Sequence, residues 1–146
     1  MQRILVGVDG SERAAGVLGA ATALARRTGG KLVLVRAVGV PLELPLEAYA
    51  MPPTSVVDLL QQEADKGLER LAEAVPAELI EKKRVLVGTP WQAICQAAKD
   101  EDVDLVVIGS HGYQGLDRLL GTTAAKVVNH SDVAVLVVRQ PERLGL

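Results

Sequence analysis

Apolar positions fall along the chain in short unbroken runs separated by longer stretches of helical period. Arg3 to Val8, RILVGV, is a β-branched run closed by Asp-Gly-Ser, the pattern of a strand covered on both faces. From Ser11, a natural N-cap, Ala14, Val17, Leu18, Ala21, Leu24 and Ala25 recur at helical spacing. Arg26-Arg27 and Gly29-Gly30 then supply C-terminal charge and a stop. Lys31 to Val38, KLVLVRAV, reads as a second strand, so the first three elements form a βαβ unit with parallel strands.

The pattern lapses over Gly39 to Thr54, GVPLELPLEAYAMPPT, which carries four prolines and no period. An irregular connection of that length acts as a lid, binds something or is mobile. Helical spacing returns after a capping box, Ser55 with Asp58. Val56, Leu59, Leu60, Leu68, Leu71 and Val75 form a stripe that ends near Pro76. Arg84 to Val87 is expected as a third strand. Gly88-Thr89-Pro90 turns from it into a helix capped by threonine with proline at its first position, and Trp91, Ile94, Cys95 and Ala98 share one face of that helix. Asp104 to Ile108 is a fourth strand, Thr122 to Asn129 a fourth helix and Val133 to Val138 a fifth strand.

Strands alternating with helices from end to end predict one α/β domain over residues 1–146. The expected architecture is a Rossmann-like three-layer α/β/α sandwich around a five-stranded, mostly parallel sheet. No repeat or linker divides it. Composition agrees: 146 residues with 49% hydrophobic and 23% charged content make a foldable chain, and no apolar run approaches the length of a spanning helix. A formal charge of −2 gives no footprint for nucleic acid or an anionic membrane. The opening MQRILVGVDG reaches a polar turn too soon for a secretory signal, and a single cysteine, Cys95, excludes an internal disulfide, so a cytoplasmic protein is expected.

Candidate chemistry gathers where strands end, the place at which open parallel sheets bind ligands. One turn is Gly7-Val8-Asp9-Gly10-Ser11. The other, GSHGYQGLDRLLGTT from Gly109 to Thr123, holds four of the fourteen glycines. Neither fits the dinucleotide fingerprint, and no lysine precedes Thr122 to make a P-loop. What remains is a G-x-x-G turn, Gly109 and Gly112, followed by Gly121 just before a helix that opens with Thr122 and Thr123. Amides at a helix start are unsatisfied by the helix and favour an anion such as phosphate, and the threonine hydroxyls add donors. Asp9 can accept from an adenine amino group or a ribose, or reach Mg²⁺ through water. A nucleotide would bridge the two turns.

ILVGVDGS, VLVGTPWQAI, DLVVIGSHG, LLGTTAAKVV and VAVLVV, in that order, resemble the universal stress protein family over nearly the whole chain. The resemblance implies a small stress-response protein that binds ATP, with AMP as the alternative and Mg²⁺ as a companion ion. It assigns the adenine end to Gly7, Asp9 and Ala37, the ribose and phosphates to Ile108, Gly109 and Gly112, and the triphosphate to Gly121, Thr122 and Thr123, with Val8 also among the cofactor-binding residues. ATP-binding members place nine residues between the second and third glycines; here eight separate Gly112 from Gly121. Family members also pair through the last strand, so a homodimer through Val133 to Val138 is expected.

Other readings use the same residues. A nucleotide-free dimer acting on partner proteins would rest on the apolar fifth strand. An enzyme cleaving the α–β bond of ATP, as related Rossmann-like folds do in adenylate transfer, would enlist His111 with Asp9; for a slow ATP hydrolase no P-loop lysine, arginine finger or water-orienting residue is in evidence, so binding is better supported than turnover. His111 reads as a solvated loop histidine, His130 as a helix-end residue, Arg118 as a solvated side chain and Cys95 as core.

Overall fold

The computed structural model describes residues 3–39, 53–110 and 120–139. In chain order these form β1 (Arg3–Val8), α1 (Ala14–Thr28), β2 (Lys31–Val38), α2 (Pro53–Ala72), a 3₁₀ turn (Ala77–Leu79), β3 (Ile80–Val87), α3 (Pro90–Asp100), β4 (Leu105–Gly109), α4 (Thr122–His130) and β5 (Ala134–Val138). The strands lie in the order β3-β2-β1-β4-β5, and every pairing is parallel. The expected three-layer sandwich is present, with a wholly parallel sheet in place of a mostly parallel one.

Alternation along the strands divides the core into two. Ile4, Val6, Val8, Leu32 and Leu34 face α1 and α2, where Val17, Leu18, Ala21, Leu68 and Ala72 meet them. Leu5, Val33, Val35, Val106 and Ile108 face α3 and α4 and pack on Ile94, Ala97, Ala98, Ala124 and Val127. Burial on both faces is why the central strands read as unbroken apolar runs, each enclosed side chain contributing about 1.5–3 kcal/mol.

Several boundaries differ from expectation, each for a local reason. α1 begins at Ala14, with Arg13 rather than Ser11 at its N-cap. The Asp9 carboxylate draws both Ser11 N–H (2.9 Å) and the Ser11 hydroxyl (2.6 Å) back toward β1. Ser11 is thereby committed to a side-chain-closed turn. The helix stops at Gly29, whose φ of 73° lies in the left-handed region that glycine enters freely.

α2 opens at Pro53, so the expected box at Ser55 and Asp58 lies inside its first turns. Leu59, assigned to the buried stripe, is 49% exposed; the enclosed line runs instead through Ala64, Leu68, Ala72 and, beyond the helix, Val75. Small alanines had masked that face. β3 starts at Ile80, four residues before Arg84. It is an edge strand, and Glu81, Lys82 and Lys83 are exposed on it, so no apolar alternation announces it. α3 carries Thr89 at its N-cap and proline at its start as expected, although the threonine makes no capping hydrogen bond. No described helix is long and apolar enough to cross a membrane.

Candidate functional site

In this strand order the chain runs outward from β1 through β2 to β3, then returns to the other side of β1 to lay down β4 and β5. Connections therefore diverge above the neighbouring ends of β1 and β4 and leave a crevice there. The two glycine-bearing turns singled out by sequence leave the sheet at this point.

The floor is tightly built. A side chain on Gly7 would meet Ile108 Cγ2 and Ile94 Cδ1, each at 3.1 Å, so Gly7 lets α3 close against the strand end. Gly109 plays the same part on the opposite face, where a Cβ would lie 3.1 Å from Val17 Cγ2. Val8 and Ile108 are buried, leaving their backbone as what they can offer a ligand. Ala37, half-buried near the end of β2, lies on the face of Val33 and Val35. Asp9 is exposed; its Oδ1 is taken by Ser11, which leaves its second oxygen as the acceptor it can offer.

Ser110 holds the β4 side together. Nearly fully buried, it donates its N–H to the Val138 carbonyl at 3.0 Å, and its carbonyl accepts Gly121 N–H at 2.8 Å. One residue thus fixes the end of β4, the end of β5 and the start of α4. Gly121 sits at the N-cap in extended conformation (φ −61°, ψ 161°) with no side chain capping the helix. The first helical bond runs from Ala125 N–H to the Gly121 carbonyl at 2.9 Å. The amides of Thr122, Thr123 and Ala124 lie ahead of it and carry the positive end of the helix dipole. Gly121's own amide is engaged with Ser110, so the anion-binding potential sits one to three residues later than the glycine that marked it. Thr122 is exposed and Thr123 half-buried at this tip.

Sequence reasoning missed Ser110 and Arg36. Arg36, in register with Val8, lies at the β2 end, and its Nε is shielded from solvent without a hydrogen-bond partner. A charged side chain inside a strand that otherwise reads as apolar was the available signal. Gly112, His111 and Arg118 fall outside the described residues, as does most of the irregular segment after β2.

The remaining candidates resolve into structure. Trp91 stacks on His130 at a centroid distance of 4.6 Å, and Lys126 Nζ stands 5.6 Å from the Trp91 ring centre, so His130 joins α4 to α3. Cys95 packs against the core on the α3 side, as expected; burial pushes its thiol up, against the opposing pull of Lys99. A thiol so placed is a poor nucleophile.

A wholly parallel β3-β2-β1-β4-β5 sheet, with an uncapped helix start beside the β1/β4 crevice, defines a small α/β protein of the doubly wound class. Within that class the chain belongs to the universal stress protein family, whose model matches residues 1–139. A universal stress protein of Thermus aquaticus is 34% identical over 144 residues, covering 93% of this chain and 97% of its own length. Among solved structures, hypothetical protein MJ0577 superposes with a TM-score of 0.79 at 26% identity, covering 95% of this chain and 96% of that one. A universal stress protein in complex with cAMP superposes with a TM-score of 0.63 at 28% identity, covering 94% and 96%.

Proposed function

We propose that the protein is a homodimeric, cytoplasmic ATP-binding module of the universal stress protein family, acting by binding rather than by turnover. The observation that carries the reading is the uncapped start of α4, held by Ser110 beside the strand-order reversal. Three amides there suit a phosphate group. The β1 and β2 ends, one and two strand spacings of about 4.8 Å from β4, suit the base and ribose, with the second oxygen of Asp9 accepting from an amino or hydroxyl group. The cAMP complex of a relative supports an adenine nucleotide as the ligand class. Mg²⁺ would be held by the phosphates, with Asp9 reaching it through water.

Calorimetric titration with ATP, AMP and cAMP, with and without Mg²⁺, tests this. Binding is expected, and nucleotide at one hundred times its Kd should stabilise the fold by about 2.7 kcal/mol. Asp9→Ala should weaken binding by roughly tenfold through loss of one hydrogen bond to a charged acceptor. No heat and no rise in Tm with any of the three nucleotides would refute the reading.

A second copy would cover β5. This edge strand presents Leu136 at 42% exposure, and Val128 on neighbouring α4 is 44% exposed. An apolar ladder edge of this kind invites strand pairing. Leu136→Lys should shift the protein from dimer to monomer in light scattering at micromolar concentration; a wild-type monomer would refute the pairing.

A further inference from the structure

Arg36 stands on β2 opposite Val8 of β1 and is half-buried. Its side chain leaves β2 on the face of Leu32 and Leu34, and its guanidinium lies against the turn after β1. Nη2, Nη1 and Cζ lie 2.8, 3.0 and 3.3 Å from where a Cβ on Gly10 would be. Gly10 is the residue after Asp9, so the guanidinium covers the backbone next to the acceptor assigned to the base. A guanidinium carries a permanent charge and five donors in a planar fork. Here no described carboxylate forms an ion pair with it, and its Nε is sealed from solvent with no partner. Elsewhere on the described surface, Arg3 and Arg84 are paired with carboxylates.

The geometry points to Arg36 as a specificity-determining residue of the nucleotide site: it donates to a ring-nitrogen acceptor of a purine base whose amino group is held by Asp9. The assignment rests on the functional reading above and adds a residue to it. Base rather than phosphate follows from position. Arg36 lies at the β2 end, with β1 between it and β4, while the phosphate-favouring amides begin α4 beyond β4. A donor from Arg36 beside an acceptor from Asp9 matches the adjacent ring nitrogen and amino group of adenine.

The test compares ATP with its 7-deaza and 1-deaza analogues on wild-type protein, Arg36→Met and Gly10→Ala. Arg36→Met should weaken ATP binding on the order of tenfold while leaving Tm unchanged or higher, because an unpaired charge is removed. One of the two deaza analogues should show that same loss on wild type and none on Arg36→Met. Gly10→Ala, whose methyl displaces the guanidinium, should move affinity in the same direction. Full ATP affinity in Arg36→Met, or analogues that fail to distinguish it from wild type, would overturn the assignment while the functional reading stood. A loss confined to phosphorylated ligands, with adenosine unaffected, would also overturn it. Wild-type protein that binds no nucleotide would remove both.

Discussion

Where the strands begin, charges answer one another within the fold. Arg3 bonds Glu81 at 2.6 Å and the Glu101 carbonyl at 2.6 Å, its amide meets Asp104 at 3.0 Å, and Lys31 reaches the Glu78 carbonyl. Glu101 receives Lys82 at 3.1 Å and Arg84 at 3.0 Å. Where the strands end, polar groups lack partners among the described residues: an arginine Nε sealed from solvent, a carboxylate with one oxygen uncommitted, and a helix start with no cap. Polar groups sheltered from water are ordinarily paired, so the first end is a structural fastening and the second is poised for a ligand. If the contrast is right, substitutions at the two ends should affect different observables.

The largest effect should come from Gly121→Asp. A carboxylate at the N-cap would accept from the open α4 amides, the bonds proposed for phosphate, and its φ of −61° accommodates a side chain without backbone strain. Stability should rise by a few tenths of a kcal/mol at most, about the margin by which an N-cap aspartate exceeds glycine. Nucleotide affinity should fall by roughly 100-fold, through lost bonds and like-charge repulsion. Thermal melting and titration on the same preparation would show the two observables moving in opposite directions. Unchanged affinity would mean that this helix start is not where the anion sits.

The unequal legibility of the two ends has a physical cause. Layers, strand order class and the central strands follow from runs such as ILV and LVLV, because burial on both faces leaves no polar positions to confuse the period. Gly121 and the two threonines were legible because a helix start needs few residue types to mark it. Arg36 and Ser110 were not: one is a lone charge in a strand, the other a common loop residue, and their importance comes from neighbours distant in sequence. The charged half of β3 was hidden for the same reason. Its partners, Arg3, Glu69 and Glu101, come from β1, α2 and the end of α3.

Gly7→Ala separates packing from binding at the ligand end itself. The added methyl would sit 3.1 Å from both Ile94 and Ile108, and these branched side chains must give by a few tenths of an ångström within a packed core. Overpacking of this kind costs about 1–3 kcal/mol, visible as a lower denaturation midpoint at unchanged slope. Affinity should change less than with Gly121→Asp, since Gly7 supports the floor. A stable Gly7→Ala variant that had lost nucleotide binding would instead make Gly7 a direct contact.

The smallest effect tests the opposite end. The hydrogen bond from Lys82 holds the Glu101 carboxyl below the usual glutamate range, with the charges of Lys82 and Arg84 adding to it and burial working against it. Because the folded state holds this proton less tightly than the unfolded chain does, the contribution is present above the ordinary carboxylate range. It is lost as pH falls through the lower value of the folded state. Glu101→Gln keeps the shape and removes the charge. With Lys82 half-exposed and the pairs partly screened, it should cost about 1 kcal/mol near neutral pH. Unfolding curves of variant and wild type should converge as the solution is acidified, and nucleotide affinity should be the same for both. A tenfold change in affinity from Glu101→Gln would mean that strain at the strand beginnings reaches the strand ends through the rigid sheet, and the two rims would then have to be treated as one coupled unit.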